Sequence, residues 1–164
     1  MSRRVVRTAG LAVVVALLSA GAALAGGRGT VTITTHAHNV LLFTESVLNP
    51  CNGEPGTVTA IAANEVFHVT FFPNDDEFWV TGTDEGTATF TPDDPNGVSA
   101  SGHFAAWFGE SFNEKNDVQH DIFNIHLRTT DGSLIVARET THLSTNAAGE
   151  VTVNFDKMSV SCVR

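Results

Sequence analysis

The chain has 164 residues, 11 of them phenylalanine and none tyrosine, and carries 18 acidic against nine basic side chains. This acidity argues against binding nucleic acid or an anionic membrane by charge, because both partners are polyanions. Two cysteines far apart in the sequence do not make a zinc site or a redox pair.

Residues 1–25 are predicted to be a cleaved export signal. Arg3, Arg4 and Arg7 give a positive start, residues 11–18 are apolar, and Ala23-Leu24-Ala25 has the small-x-small cleavage pattern. The apolar run is shorter than the about 20 residues that span a bilayer, so no membrane anchor is predicted. Removal of three of the nine basic residues leaves residues 26–164 as a single secreted domain with six basic and 18 acidic side chains, a net charge of −12.

The remaining chain reads as strands separated by turns rich in Gly, Pro, Asn and Asp. Residues 30–48 are expected to form one bent strand or two short ones. Further strands are predicted at 57–63, 65–72, 77–91, 98–108, 118–128, 134–138 and 150–155, with a short tail at 158–163. The strand at 77–91 is expected to be interrupted near Asp84-Glu85-Gly86, and residues 110–116 are expected to form a polar loop. No helix is predicted. Strands that follow one another at a spacing of roughly 8–12 residues predict an all-β fold. We expect an antiparallel up-and-down β-barrel of about 8–10 strands, with a β-sandwich as the alternative.

The longest predicted hairpin turns at Asp131-Gly132. An Asp-Gly pair between β-rich runs is typical of a two-residue type I′ turn, in which both central residues have φ > 0. That turn would place Thr130 opposite Ser133 and fix the register of the two strands.

In this register one constellation carries candidate chemistry. Asp121 would face His142, and Arg138 would share a face with Phe123 and Leu127. Charged groups on an apolar face are costly unless they are paired, so Asp121, Arg138 and His142 are the candidate ligand-binding residues of a barrel lumen. They could hold a small hydrophobic or acidic ligand, or transfer a proton without a cofactor. The alternative is that the pair satisfies itself, or that this face meets solvent at the end of the hairpin.

Cys51 and Cys162 are predicted to form a disulfide, because an exported protein with an even number of cysteines meets an oxidising environment. A loop of roughly a hundred residues would stabilise the fold by about 4–5 kcal/mol in the chain-entropy model.

No metal, cofactor or catalytic residue is assigned from the sequence. His36-Ala37-His38 has strand spacing suited to a metal but no identified third ligand. There is no Gly-x-Ser-x-Gly nucleophile elbow.

Several motifs of the exported part resemble a family of small secreted bacterial proteins. They are Asn-Pro-Cys-Asn-Gly-Glu-Pro-Gly at 49–56, Phe-His-Val-Thr at 67–70, Thr-Phe-Thr-Pro-Asp-Asp-Pro at 89–95, Trp-Phe-Gly-Glu at 107–110 and Phe-Asp-Lys at 155–157. The resemblance covers nearly all of the exported part. It implies export and a β-barrel-like fold, and it transfers no catalytic residue.

Three functions fit these predictions. The first is non-enzymatic binding of a small hydrophobic ligand or of an envelope or extracellular partner. The second is a cofactor-free cyclase or isomerase like the allene oxide cyclase barrels, by analogy of fold. The third is a structural or inhibitory protein that acts through surface loops. A large, half-polar lumen would favour the first two, and an interior filled with phenylalanine would favour a surface function.

Overall fold

The computed structural model describes residues 29–73 and 77–164. This part of the chain forms eight β-strands and no helix: β1 (Val31–Ala37), β2 (Val40–Leu48), β3 (Pro55–Phe71), β4 (Glu77–Pro92), β5 (Ala100–Asn113), β6 (Asn116–Thr129), β7 (Leu134–Asn146) and β8 (Val151–Val163). The prediction of an all-β antiparallel fold is confirmed. The predicted export signal lies outside the described residues.

The strands form one meander sheet in the order β1-β3-β4-β5-β6-β7-β8, and β2 also pairs with β3. β1 pairs with the second half of β3 and β2 with its first half. The two therefore act as one long strand that is broken at His38-Asn39, where Asn39 takes a left-handed φ of 56°. Of the two predictions for residues 30–48, the pair of short strands is the correct one.

Hydrogen bonds do not close the described sheet into a barrel. Because β1 and β2 share one position, the meander has an odd number of strand positions, and both of its edges run in the same direction. Antiparallel closure of an up-and-down sheet needs an even number of positions, since successive strands alternate in direction. The predicted closed barrel is therefore wrong in this respect.

Strands run through several segments that were predicted to interrupt them. β3 is continuous from Pro55 to Phe71, with a bulge between Ala62 and Asn64. β4 passes through the predicted break near Gly86, and there a Cβ atom would lie 2.0 Å from the carbonyl oxygen of Ile61. Residues 110–113 belong to β5 rather than to a loop, and β8 unites the last strand with the tail. Pairing with neighbours on both sides overrides the local turn tendency.

One face of the sheet, here called the inner face, carries the core. Its buried apolar residues are Ala60, Ala62, Phe67, Val69, Val80, Ala88, Phe90, Ala100, Phe104, Ile125, Leu127 and Ile135. Aromatic rings pack across it: Phe123 contacts Phe43 and Phe104 with centroids 6.0 and 5.7 Å apart, and Phe67 contacts Phe108 at 5.0 Å. The opposite face is called the outer face.

At one end of the sheet, called the closed end, Cys51 and Cys162 form the predicted disulfide, with Cα atoms 5.1 Å apart. The turns of this end also bond to one another: Asp93 N–H donates to Pro55 O at 3.0 Å, and Thr130 N–H donates to Ser99 O at 2.9 Å. The disulfide therefore holds the end of β8 near the β2–β3 turn. A disulfide is consistent with an oxidising, extracytoplasmic location.

The β6–β7 hairpin turns at the predicted place but in a different way. Thr129 faces Ser133, with Thr129 N–H donating to Ser133 O at 2.9 Å, so three residues form the loop. Only Gly132 has a positive φ, 93°, as in a type I turn followed by a glycine bulge. Asp131 supports this turn by accepting a hydrogen bond from Ser133 N–H at 3.1 Å.

The extra loop residue shifts the register by one relative to the prediction. Leu127 pairs with Ile135, and Asn124 pairs with Arg138. Because side chains alternate between faces, this shift moves every side chain of β7 to the opposite face. The predicted sharing of one face by Arg138 and Leu127 is therefore wrong.

Candidate functional site

The structure separates the three residues predicted to bind a ligand. Asp121 lies on the inner face opposite Thr141, whose hydroxyl donates to Asp121 Oδ2 at 2.8 Å. His142 and Arg138 lie on the outer face, and Arg138 is exposed. The predicted pairing of Asp121 with His142 is wrong, and the argument for an acidic ligand at Arg138 loses its basis.

The corrected register reveals a feature that the sequence prediction missed, which is that the inner face is strongly acidic. Eight carboxylates lie on it: Glu45, Glu65, Asp84, Glu110, Asp117, Asp121, Glu139 and Asp156. Within the described strands, the basic residues Arg128, Arg138 and Lys157 all lie on the outer face. Strict alternation along each strand would have shown this separation, once the bulge in β3 and the three-residue turn were placed.

Two of these carboxylates are buried side by side in the middle of the sheet. Glu65 of β3 pairs with Asp84 of β4, and the two residues are 7% and 9% exposed. Burial, and then the charge of Glu65, raises the pKa of Asp84 to about 6, and burial also raises the pKa of Glu65. Among the described residues, Asp84 Oδ1 has no hydrogen-bond partner. This pair, called the carboxylate dyad, therefore tends to hold a proton in mild acid.

A second group, called the acidic cluster, lies on the inner face toward the other end of the sheet and consists of Glu110, Asp117 and Asp121. Glu110 pairs with Gln119, whose amide donates to Asp117 Oδ2 at 3.4 Å. Burial, and then the charges of Asp117 and Asp121, raises the pKa of Glu110, while a hydrogen bond from Gln119 opposes the shift. Burial raises the pKa of Asp117 as well, again against a hydrogen bond from Gln119. All three carboxylates are only partly buried.

Two cavities adjoin these groups. One of about 30 Å³ touches the acidic cluster and is lined by Gln119, Asp121, Thr141, His142, Leu143, Asn154 and Phe155. This is about the volume that one water molecule occupies in the liquid. The other, of about 330 Å³, lies at the bulge of β3 and is lined by Asn64, Val66, Thr83, Asp84, Glu85, Ala105 and Ala106.

In the described part of the chain, no group of three or more His, Cys, Asp or Glu side chains is arranged to hold a metal ion. The strand spacing noted for His36 and His38 is not kept, because β1 ends at Ala37 and the Nδ1 atom of His38 lies 3.1 Å from Ala63 O. Nor do these residues include a helix long and apolar enough to cross a membrane.

Comparison with protein-family models, with curated proteins and with solved structures found no match for this chain. The resemblance to small secreted bacterial proteins therefore remains an expectation from the motifs.

Proposed function

We propose that this protein is a non-enzymatic, extracytoplasmic binding protein that takes a cationic amphiphile, an organic amine with an apolar tail, on its inner face. The observation that carries this proposal is the set of eight inward carboxylates with no lysine or arginine among the inward side chains of the described strands.

The acidic cluster is the part of this face best suited to a positive head group. Its carboxylates repel one another and are partly desolvated, so a cation relieves both penalties at once. An ion pair at 4 Å near a protein surface is worth about 4 kcal/mol before desolvation costs. Because the pKa of Glu110 is raised, a bound cation also favours release of its proton in mild acid.

Exposed apolar side chains of the inner face are available to a tail, with Phe112 opposite Asp117 beside the acidic cluster and Met158 and Val160 farther along β8. Phe112 is 42% exposed on β5, and Met158 and Val160 are 60% and 47% exposed on β8. These three residues lie on the inner face by register. An exposed apolar surface beside converging polar groups is the usual character of a ligand site.

Binding in an enclosed lumen is less well supported. The middle of the inner face is filled by the rings of Phe43, Phe104 and Phe123, and the cavity beside the acidic cluster is about 30 Å³. We therefore propose that the ligand lies on the inner face of β6, β7 and β8, the last three strands of the sheet. In this proposal the sheet is a half-open barrel, with its edges held together at the closed end by the disulfide and apart elsewhere.

The carboxylate dyad favours a second candidate function, cofactor-free proton transfer. A carboxyl with a pKa of about 6 both gives and accepts a proton near neutral pH, as an isomerase or cyclase requires. Asp84 is also among the residues that line the cavity of about 330 Å³, although most of the other lining residues lie on the outer face. If the Asp84→Asn variant binds the amine with full affinity, proton transfer by the carboxylate dyad is separate from amine binding by the acidic cluster.

Calorimetric titration with octylammonium, octanoate and octanol at pH 7.5 tests the proposal. We expect octylammonium to bind most tightly and octanoate least, because only the head-group charge differs in sign. The double variant Asp117→Asn with Asp121→Asn should weaken octylammonium binding at least tenfold. Glu85→Gln, on the exposed outer face, is the matched control and should leave affinity unchanged. Tighter binding of octanoate, or an equal loss in Glu85→Gln, would contradict the proposal.

A further inference from the structure

His120 and His142 form a pair on the outer face, the side of the sheet opposite to the acidic cluster. They are directly opposed on β6 and β7, and both side chains are half-buried. Their rings meet edge to face with centroids 5.6 Å apart, and the two Nδ1 atoms are 3.3 Å apart. In the neutral pair one Nδ1 carries a hydrogen and donates it to the other.

The spacing of these nitrogens also suits a metal ion. Two imidazole nitrogens bound to one tetrahedral Zn²⁺ at about 2.0–2.1 Å lie about 3.3–3.4 Å apart, and a square-planar ion brings them to about 2.9 Å. The observed separation of 3.3 Å falls in that interval. The ion would replace the shared hydrogen, and each ring would then carry its hydrogen on Nε2.

We propose that His120 and His142 form a two-imidazole site for a divalent transition metal ion, with Cu²⁺ bound more tightly than Ni²⁺ or Zn²⁺. The order follows the general preference of nitrogen ligands among these ions. Water completes the coordination, because the described residues hold no third protein ligand of the usual kinds at this place. The site differs from the sequence candidate His36, and it does not depend on the proposed amine-binding function.

The surroundings make the site easy to observe. The ring of Trp107 lies 5.6 Å from that of His120, edge to face. Cu²⁺ quenches indole fluorescence at such short distances, so binding at this pair must lower the emission of Trp107.

Fluorescence titration of tag-free protein with Cu²⁺ is the test, with thermal unfolding in the presence of Ni²⁺ as a second measurement. We expect saturable quenching with one ion per chain and a rise in the unfolding midpoint. His120→Gln and His142→Gln should each weaken Cu²⁺ binding at least tenfold. Glutamine keeps a polar side chain of similar length, and circular dichroism verifies that each variant is folded.

The outer face offers a matched control. His103 and His126 are also opposed, on β5 and β6, but both are exposed. The double variant His103→Gln with His126→Gln should leave affinity and quenching unchanged. An equal loss in this control, unsaturable quenching, or unchanged binding in His142→Gln would each overturn the assignment. Nitrogen hyperfine structure from two imidazoles in the Cu²⁺ electron spin resonance spectrum provides the direct signature if a variant does not fold.

Discussion

The same strands differ in burial and charge between the closed end of the sheet and the opposite end, where β6 begins and β7 finishes. At the closed end Leu127 and Ile135 are buried, the turns bond to one another, and the disulfide holds β8. At the opposite end, called the open end, Leu143 is only partly buried, Phe112 is 42% exposed, and Asp117 and Asp121 lie on the inner face.

This difference separates stability from recognition within one sheet. Burial of apolar surface is the main source of folding free energy, and the closed end holds much of it. The open end is less uniform: Val69 of β3 and Val80 of β4 are buried there, whereas β5 to β8 keep partly desolvated carboxylates and exposed apolar groups. The following predictions test this division, from the largest expected effect to the smallest.

Removing the disulfide should have the largest effect on the closed end. The bond links residues separated by 111 positions. Its loss in the double variant Cys51→Ser with Cys162→Ser should cost about 4–5 kcal/mol and lower the thermal midpoint by roughly 10 °C or more. Hydrogen exchange should rise most in the β2–β3 turn and at the end of β8. A midpoint within a few degrees of the native one would show that hydrogen bonds between turns suffice there.

Truncating one leucine at each end compares the two ends directly. Leu127 is 2% exposed, and Leu127→Ala should cost about 2–5 kcal/mol, because it leaves a cavity. Leu143→Ala at the open end should cost about 1 kcal/mol or less, since its side chain is already partly hydrated. Urea denaturation of both variants measures the difference. Equal costs would remove the distinction between the ends.

The carboxylate dyad lies between the two ends and should respond to pH. The folded-state pKa of Asp84, about 6, is above its ordinary value of 3.8, so the folded protein binds this proton more tightly than the unfolded one. The resulting stabilisation is present below about pH 4 and is lost as the pH rises through about 6. Asp84→Asn should therefore raise the free energy of unfolding at pH 7.5, by about 1–2 kcal/mol, and change it little at pH 4.

Urea denaturation of Asp84→Asn at both pH values, with Glu85→Gln on the outer face as the control, measures this effect. Destabilisation by Asp84→Asn at pH 7.5 would mean that the charged form of Asp84 has a partner in the folded protein.

The sequence predicted the strands, most turns and the disulfide, because these depend on local chemistry and on pairing of two cysteines. It misplaced the candidate site because one turn residue decides which face each side chain takes. Asp131-Gly132 was located correctly, but only Gly132 adopts a positive φ, and that single difference sent Arg138 and His142 outward. The acidic inner face depends on the register of seven ladders together, which local patterns do not fix.

The meander order also bears on how the chain assembles. From β3 onward each strand pairs with the next one along the chain, so hairpins can form in succession with short loops to close. The disulfide is the exception, since it joins Cys51 to a cysteine 111 residues farther along the chain and therefore needs the last strand in place. Oxidation of this pair is then a late step, and before it the early strands are already paired. A refolding experiment with the thiols reduced should thus give the hairpins first and a loosely joined closed end, which the bond locks afterwards.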